Sequence, residues 1–338
     1  MTTVTDQGES GLHDDLKKEL RSHYGPAVAF GVHLASFSRW GIGGSAWARL
    51  VASSPDDVSW AVKWSKRRGV PWLVVGTTAN LLFDSDGLQG LVIQLGPDFA
   101  VLKSLDDGRI YCGASATARD LAEFAAENAL TGLEHIVGIP GTLGGLLTMN
   151  GGSQRQSIGE SVESVTALDS SGREHILSRE ECKFLYRESR FQSQDLVILS
   201  LEVALRRGSK REIRARMDSI LADRRSKFPE SERNCGSTFL SDPAMYRDVG
   251  PPGFVIENCG LKGMRVGDAQ VSLQHANFVN NLGSATSADV LAVIHSVGAL
   301  VLERTGYRLK AEAIFVRTDM RLVRADEAAA LMFGQPSE

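Results

Sequence analysis

Four short stretches of the 338-residue chain hold polar side chains in settings that call for chemistry. Gly76-Thr77-Thr78-Ala79-Asn80-Leu81 follows the apolar run PWLVVG at 71–76. A small, hydroxyl-rich turn at a strand end can seat a phosphate, and taken alone it is equally an ordinary turn. Tyr186-Arg187-Glu188-Ser189-Arg190-Phe191 sets an arginine among aromatics, where its fork can grip a carboxylate or phosphate. Such strings are also common on solvated surface. In Asn234-Cys235-Gly236-Ser237-Thr238-Phe239 the serine follows a glycine, so its hydroxyl could face a cleft. No hydrolase elbow surrounds it, and most serines in such turns bond only to backbone. Glu312 interrupts an apolar run at 310–316; facing solvent it is unremarkable, whereas facing inward it gains proton affinity and becomes an acid candidate. His275, in Gln274-His275-Ala276-Asn277-Phe278, is equally two-sided.

The densest signal is GIPGTLGGLLTMNGG at 138–152, with six glycines and one proline in fifteen positions. Glycine serves where backbone takes positive φ or closes on a ligand, and amides freed of side chains can converge on an anion. No lysine follows the glycines and Gly-x-Gly-x-x-Gly spacing is absent, so this is neither a Walker loop nor a Rossmann turn. A solvated linker has no use for Ile139, Leu143, Leu146, Leu147 and Met149. The stretch reads as a buried wall pressed against a flat, phosphorylated ligand.

Regular elements must position these residues. Residues 35–52 combine a Gly-Ile-Gly-Gly turn with strand-like alternation. Ser54, Pro55 and Asp57 then form the start of a helix that Gly69 stops. Strands at 71–76 and 88–95 complete a β-α-β-like unit. Further on, the pattern predicts a strand at 110–114, a capped helix at 117–128, strands at 162–169 and 175–177 around a Ser170-Ser171-Gly172 turn, and a strand at 196–206. A charged helix over 211–226 opens a third block. It continues with strand-like pieces around Phe239 and over 271–279, a long helix at 287–305 and a closing strand at 307–316. Helices and strands mix without strict alternation, which predicts an α+β fold in three parts. The divisions expected are an extension at 1–20, whose first ten or so residues carry nothing to bury and are expected to be disordered, then 21–95, 96–207, 208–325 and a tail at 326–338.

Composition bounds the function. The chain exceeds the length at which one core usually stops growing. With 43% hydrophobic and 23% charged residues it has an ordinary globular balance, and a net charge of −4 gives no reason to expect nucleic acid or an anionic membrane as partner. Four scattered cysteines without a C-x-x-C argue against a metal centre or a disulfide scaffold and fit a reducing cytoplasm. No stretch is apolar enough to suggest a signal peptide or a membrane span.

In order, these pieces resemble the FAD-dependent UDP-N-acetylenolpyruvoylglucosamine reductases of peptidoglycan synthesis, the MurB family. The resemblance runs from about residue 35 to 316 through FSRWGIGGSA, GTTANLL, GLEHIVGIPGTLGGLLTMNGG, YRESRF, NCGSTF, GLKG with VSLQHANFVNN, and RLKAEAIFV. It implies two FAD-clasping subdomains of the vanillyl-alcohol-oxidase type and a C-terminal α/β substrate-binding domain. The uninterrupted run from Arg190 into 196–206 resembles the shorter of the family's two types, without an inserted tyrosine-bearing loop.

The resemblance also implies roles. NADPH passes hydride to FAD, and the reduced flavin delivers it to the vinyl carbon of an enolpyruvyl ether. Ser237 would then give the adjacent carbon its proton, while Arg187 and Glu312 hold the carboxylate and steady the enolate. Gly76, Thr77, Thr78, Ala79, Asn80 and Leu81, with Gly138, Ile139, Pro140, Gly141, Gly144, Gly145 and Asn150, would hold the flavin nucleotide. His275 and Asn277 would join Arg187 on the substrate, a UDP-sugar. Departures from the family bear on that substrate more than on the reaction. Thr77 and Thr78 stand where the turn usually has glycines, Leu240 stands where a lysine follows the serine motif, 150–153 reads Asn-Gly-Gly-Ser in place of Asn-Ala-Gly-Ala, and Ala313 follows Glu312 where a basic residue is common. Two alternatives stay open: a divergent flavin reductase acting on another carboxylated alkene or nucleotide-sugar, and a flavin- or nucleotide-binding protein without turnover.

Overall fold

The computed structural model describes residues 6–334 apart from positions 194 and 230, with side chains described from residue 14 onward. The β-α-β expectation near the N-terminus is met in full. The Ser45–Ala52 strand runs parallel to Leu88–Leu95, which in turn runs parallel to Trp72–Val75, and Val28–His33 closes the other edge antiparallel. The Pro55–Arg68 helix between them starts where the capping residues require: Ser54 accepts from the Asp57 amide, and Gly69 ends it at φ 65°. Its apolar stripe, Val58, Ala61, Val62 and Trp64, seals one face of the sheet against Leu50, Leu91 and Ile93.

A second core fills the middle of the chain. The antiparallel sheet Glu174–Ser178, Val162–Asp169, Leu196–Ala204, Arg109–Gly113, Leu102–Ser104 is covered by the Ala118–Glu127 helix, which Thr117 and Asp120 cap reciprocally. The third core gathers around the Ser287–Thr305 helix, capped by Thr286 and stopped by Gly306, with Val290, Leu291, Ile294, Val297 and Val301 inward. Three sheetless-alternation blocks thus become three cores, and the fold is α+β.

Several expectations give way to the structure. Positions 1–5 of the segment expected to be disordered lie outside the described residues, but a helix runs over Asp6–Tyr24 and buries Leu16, Leu20 and Tyr24 against the first core. The Lys210–Lys227 helix does not open the third block. Ile213, Met217 and Ile220 recur at helical spacing and pack into the middle core, so the chain crosses over after this helix. The 271–279 strand is a hairpin: Ala269–Val271 and Val279–Asn281 pair with each other, and a turn carrying His275 joins them. Only Ile314–Val316 of the closing strand is regular strand. The residues before it, Glu312 included, make a single bridge through Ala311 to Phe239. The expected tail begins with the Ala325–Phe333 helix, whose Ala325, Ala328 and Ala329 pack in the third core; 335–338 lie outside the described residues.

Two segments stitch the cores together. Leu81–Phe83 leaves the first unit to pair parallel with Ile314–Val316, so that Leu82 is buried in the third core and Phe83 in the small cluster beneath the first sheet. Trp40, fully buried, donates its indole N–H to the Val279 carbonyl at 2.8 Å, while Asn281 donates to the Trp40 carbonyl at 2.9 Å.

Candidate active site

The turn after the Trp72–Val75 strand meets the glycine stretch face to face. A Cβ on Gly76 would lie 2.2 Å from Thr142 Oγ1, and one on Gly141, at φ 141°, would lie 4.0 Å from Thr77 Oγ1. At Gly76 only a residue without a side chain fits against Thr142, whereas at Gly141 the backbone conformation is what favours glycine. Thr78 is buried at φ 58°, an outlier for a β-branched residue, and its hydroxyl secures the conformation by accepting from the Arg39 amide at 2.9 Å and donating to the Thr77 carbonyl at 2.7 Å. Ala79 is half-buried in the same turn. Asn80 turns the other way, donating to the Glu312 carbonyl at 2.9 Å and accepting on its own carbonyl from the Ile314 amide at 3.0 Å. Leu81 opens the strand that continues into the third core's sheet.

Within the glycine stretch the wall is built largely as expected. Leu143–Thr148 is a short helix whose Leu143, Leu146 and Leu147 are buried, while Ile139 packs half-buried on the middle core. The amides of Leu143 and Gly144 donate to the carbonyls of Ala116 and Ala114, which pins the stretch to the middle core. Gly145 lies in the first turn of that short helix, next to Thr142, and Pro140 sits between Ile139 and Gly141. Gly138 lies under the Arg224 side chain, where a Cβ would be 2.3 Å from its Cδ. Asn150 behaves differently from expectation. Both ends of its amide are engaged within the protein: Oδ1 accepts from the Gly159 amide at 3.0 Å and Nδ2 donates to the Leu185 carbonyl at 2.8 Å. It braces the loop that carries Arg187.

That loop is a tight reversal in which Leu185 and Glu188 exchange backbone hydrogen bonds, with Arg187 at its tip at φ 56°. The guanidinium donates from Nη2 to the Gly152 carbonyl at 3.2 Å and lies 5.5 Å over the Tyr186 ring. Its Nε stands 2.8 Å from Glu312 Oε1, a charge contact without hydrogen-bond alignment. Burial raises the proton affinity of Glu312, and Arg187 pulls it back toward the ionised form. The two opposing influences make Glu312 a carboxyl whose charge depends on what Arg187 holds.

Ser237 lies on the segment whose backbone pairs with that of Glu312. Gly236 takes φ 83° to turn the chain, and the next residue, Thr238, accepts the Glu312 amide on its carbonyl at 2.8 Å. Among the described residues no protein group is bonded to the half-buried Ser237 hydroxyl. Asn277 supports the segment from behind: its Oδ1 accepts from the Phe239 amide at 2.9 Å and its Nδ2 donates to the Phe239 carbonyl at 3.0 Å. Its amide is therefore a brace for that segment. His275 packs against Phe228 and Phe278 and accepts from the Asn277 amide at Nδ1, and burial lowers its proton affinity.

The predicted residues thus converge as one chain of contacts: Gly152 to Arg187, Arg187 to Glu312, Glu312 to the Ser237 segment, and Glu312 again to Asn80 of the turn that faces Gly141. The turn and the glycine stretch lie against each other, with Gly76 packed on Thr142 and Gly141 held at φ 141°, and such small-residue, amide-rich backbone suits a dinucleotide such as FAD. Arg39 was legible only as one letter of FSRWGIGGSA; its place beside Thr78 depends on a contact across 39 positions that no local pattern signals.

Comparisons with known proteins identify the family. Residues 46–178 match the model of the FAD binding domain, and residues 228–316 match that of the UDP-N-acetylenolpyruvoylglucosamine reductase C-terminal domain. UDP-N-acetylenolpyruvoylglucosamine reductase 1 of Corynebacterium glutamicum is 43% identical over 90% of this chain and 91% of its own length. The reductase of Heliobacterium modesticaldum is 37% identical over 82% and 87%. The crystal structure of UDP-N-acetylenolpyruvylglucosamine reductase (MurB) from Thermus caldophilus superposes with a TM-score of 0.72 at 29% identity, covering 84% of this chain and 97% of that one. By two domain matches, 43% identity to a reductase over nine-tenths of its length and superposition on a solved reductase structure, the chain belongs to the UDP-N-acetylenolpyruvoylglucosamine reductase family.

Proposed function

We infer that this protein reduces the enolpyruvyl ether of UDP-N-acetylglucosamine enolpyruvate to UDP-N-acetylmuramate, a peptidoglycan precursor, using NADPH and FAD. The observation that carries the reading is the half-buried Arg187–Glu312 ion pair, with the Glu312 amide bonded to the carbonyl of Thr238, the residue after Ser237. FAD, when bound between the Gly76 turn and the glycine stretch, supplies the hydride carrier.

The chain's own residues do the rest. Arg187 receives the substrate carboxylate, for which its fork is geometrically matched. Glu312, losing its cation to that carboxylate, keeps a proton and donates a hydrogen bond to the developing enolate. Ser237 gives a proton to the carbon next to the carboxylate from a hydroxyl that no protein group engages. Such proton donation is worth roughly 10²–10⁴ in rate. Asn150 and Asn277 bind no ligand in this reading; they hold the Arg187 and Ser237 segments in place. His275, packed on Phe228 and Phe278, would meet the substrate in this reading. The free, buried cysteines suit a cytoplasmic setting, and no described helix is long and apolar enough to cross a membrane.

The test is anaerobic. NADPH should bleach the protein-bound flavin, and UDP-N-acetylglucosamine enolpyruvate should restore its colour stoichiometrically. Bleaching without restoration by that compound, but with restoration by another enolpyruvyl acid, would replace the substrate with that of a divergent reductase. The exchange of lysine for Leu240 makes that second reading worth including in the panel.

A further inference from the structure

Arg39 belongs to a motif that the reaction above leaves without a task. Its backbone is fixed from both sides of a seam: the Arg39 amide donates to Thr78 Oγ1 in the flavin-side turn, and the next residue, Trp40, is buried in the third core. The side chain is half-buried with Nε fully enclosed, and among the described residues it has neither a hydrogen-bond nor an ion-pair partner. An arginine Nε–H shut off from water without an acceptor is costly, and a half-buried guanidinium held at a seam gains from an anion at its open end.

The nearby groups do not provide the partner. Glu312 is engaged by Arg187. Cys235, whose thiol senses the Arg39 and Glu312 charges with opposite sign, is driven by burial strongly toward its neutral form. A second cation lies close by: the Arg233 side chain covers Gly41, its Cδ and Nη1 both 3.0 Å from where a Cβ would sit.

We propose that Arg39 is a phosphate-binding residue, its guanidinium receiving the diphosphate of a nucleotide bound at the seam between the flavin-side turn and the C-terminal core. The proposal rests on the reading that FAD and a UDP-sugar bind this cleft. Phosphate is the fitting class because the substrate carboxylate already has its fork in Arg187. The remaining anionic oxygens of both nucleotides are those of their diphosphates.

Arg39→Gln and Arg39→Lys in the full chain test this, in two arms. One follows flavin release from the holoprotein on dilution, by FAD fluorescence. The other titrates UDP into the holoprotein, read by the flavin absorbance. Arg39→Gln should weaken one of the two by about ten-fold or more, as expected for a charge-assisted contact, with Arg39→Lys recovering part of it and the salt dependence flattened in Arg39→Gln. The arm that responds names the diphosphate. In the flavin-depleted chain the midpoint of thermal unfolding should hold steady or rise in Arg39→Gln, because an uncompensated charge has been removed. Affinities within two-fold of the parent in both arms would overturn the proposal, as would a lower midpoint in Arg39→Gln, the mark of a merely structural arginine. A parent protein that binds neither FAD nor UDP would instead overturn the functional reading itself.

Discussion

Glu312 has its charge set by competition, and that has a measurable signature. Burial raises its proton affinity above the ordinary value of 4.5 and Arg187 only partly offsets this. The folded chain therefore keeps the Glu312 proton over a pH range in which the unfolded chain has released it. Stability from this group is full below the unfolded value and is lost as pH rises through the raised folded one. Glu312→Gln should remove that loss, flattening thermal midpoint against pH on the alkaline side of 4.5. Ser237→Ala should leave NADPH bleaching of the flavin intact and slow reoxidation by the substrate roughly 10²–10⁴-fold; equal slowing of both steps would deny it the proton. At this scale the sequence was informative about chemistry and poor about partners. Ser237, Arg187 and Glu312 were recognisable because their neighbours form ordered motifs. Asn150 and Asn277 were recognisable only as amides, and both turn out to be committed to backbone 35 to 38 positions away.

Turns and glycines at the element scale follow the same division. Helix starts and stops were legible because a cap is local: Ser54 with Asp57, Thr117 with Asp120 and Thr286 with Asp289 each satisfy the helix end they precede. Strand extent was not, because it depends on a partner. Residues 271–279 have the composition of a strand, yet the Ser272 hydroxyl accepts the Gln274 amide and the chain reverses there. Residues 307–313 lack a continuous neighbour and run as irregular backbone between Phe239 and Asn80. Gly76→Ala is the sharpest probe of the opposed turns. Its Cβ would meet Thr142 Oγ1 at 2.2 Å, so something must move. A destabilisation of about 1–3 kcal/mol is expected by denaturant titration, accompanied by loss of bound flavin. Thr286→Ala should cost about 1 kcal/mol in the same assay without touching flavin content, which separates a cap from a cradle.

Over the whole molecule, three cores were foreseeable from length and pattern, but their borders were not. The Lys210–Lys227 helix reads as charged surface until three apolar residues are seen to face the middle core. Trp40 crosses from the first unit into the third, so Trp40→Ala should cost about 3–5 kcal/mol and broaden unfolding into more than one transition, as calorimetry would show. The Leu81–Phe83 strand crosses in the same sense, and it is the continuation of the flavin-side turn. Because that strand completes the Ile314–Val316 sheet, the C-terminal third has no self-sufficient boundary. A chimaera that exchanged only residues after 208 with a relative would inherit a foreign edge at 81–83 and a foreign plug at position 40. Specificity grafted between such enzymes would have to travel as three separate pieces of chain.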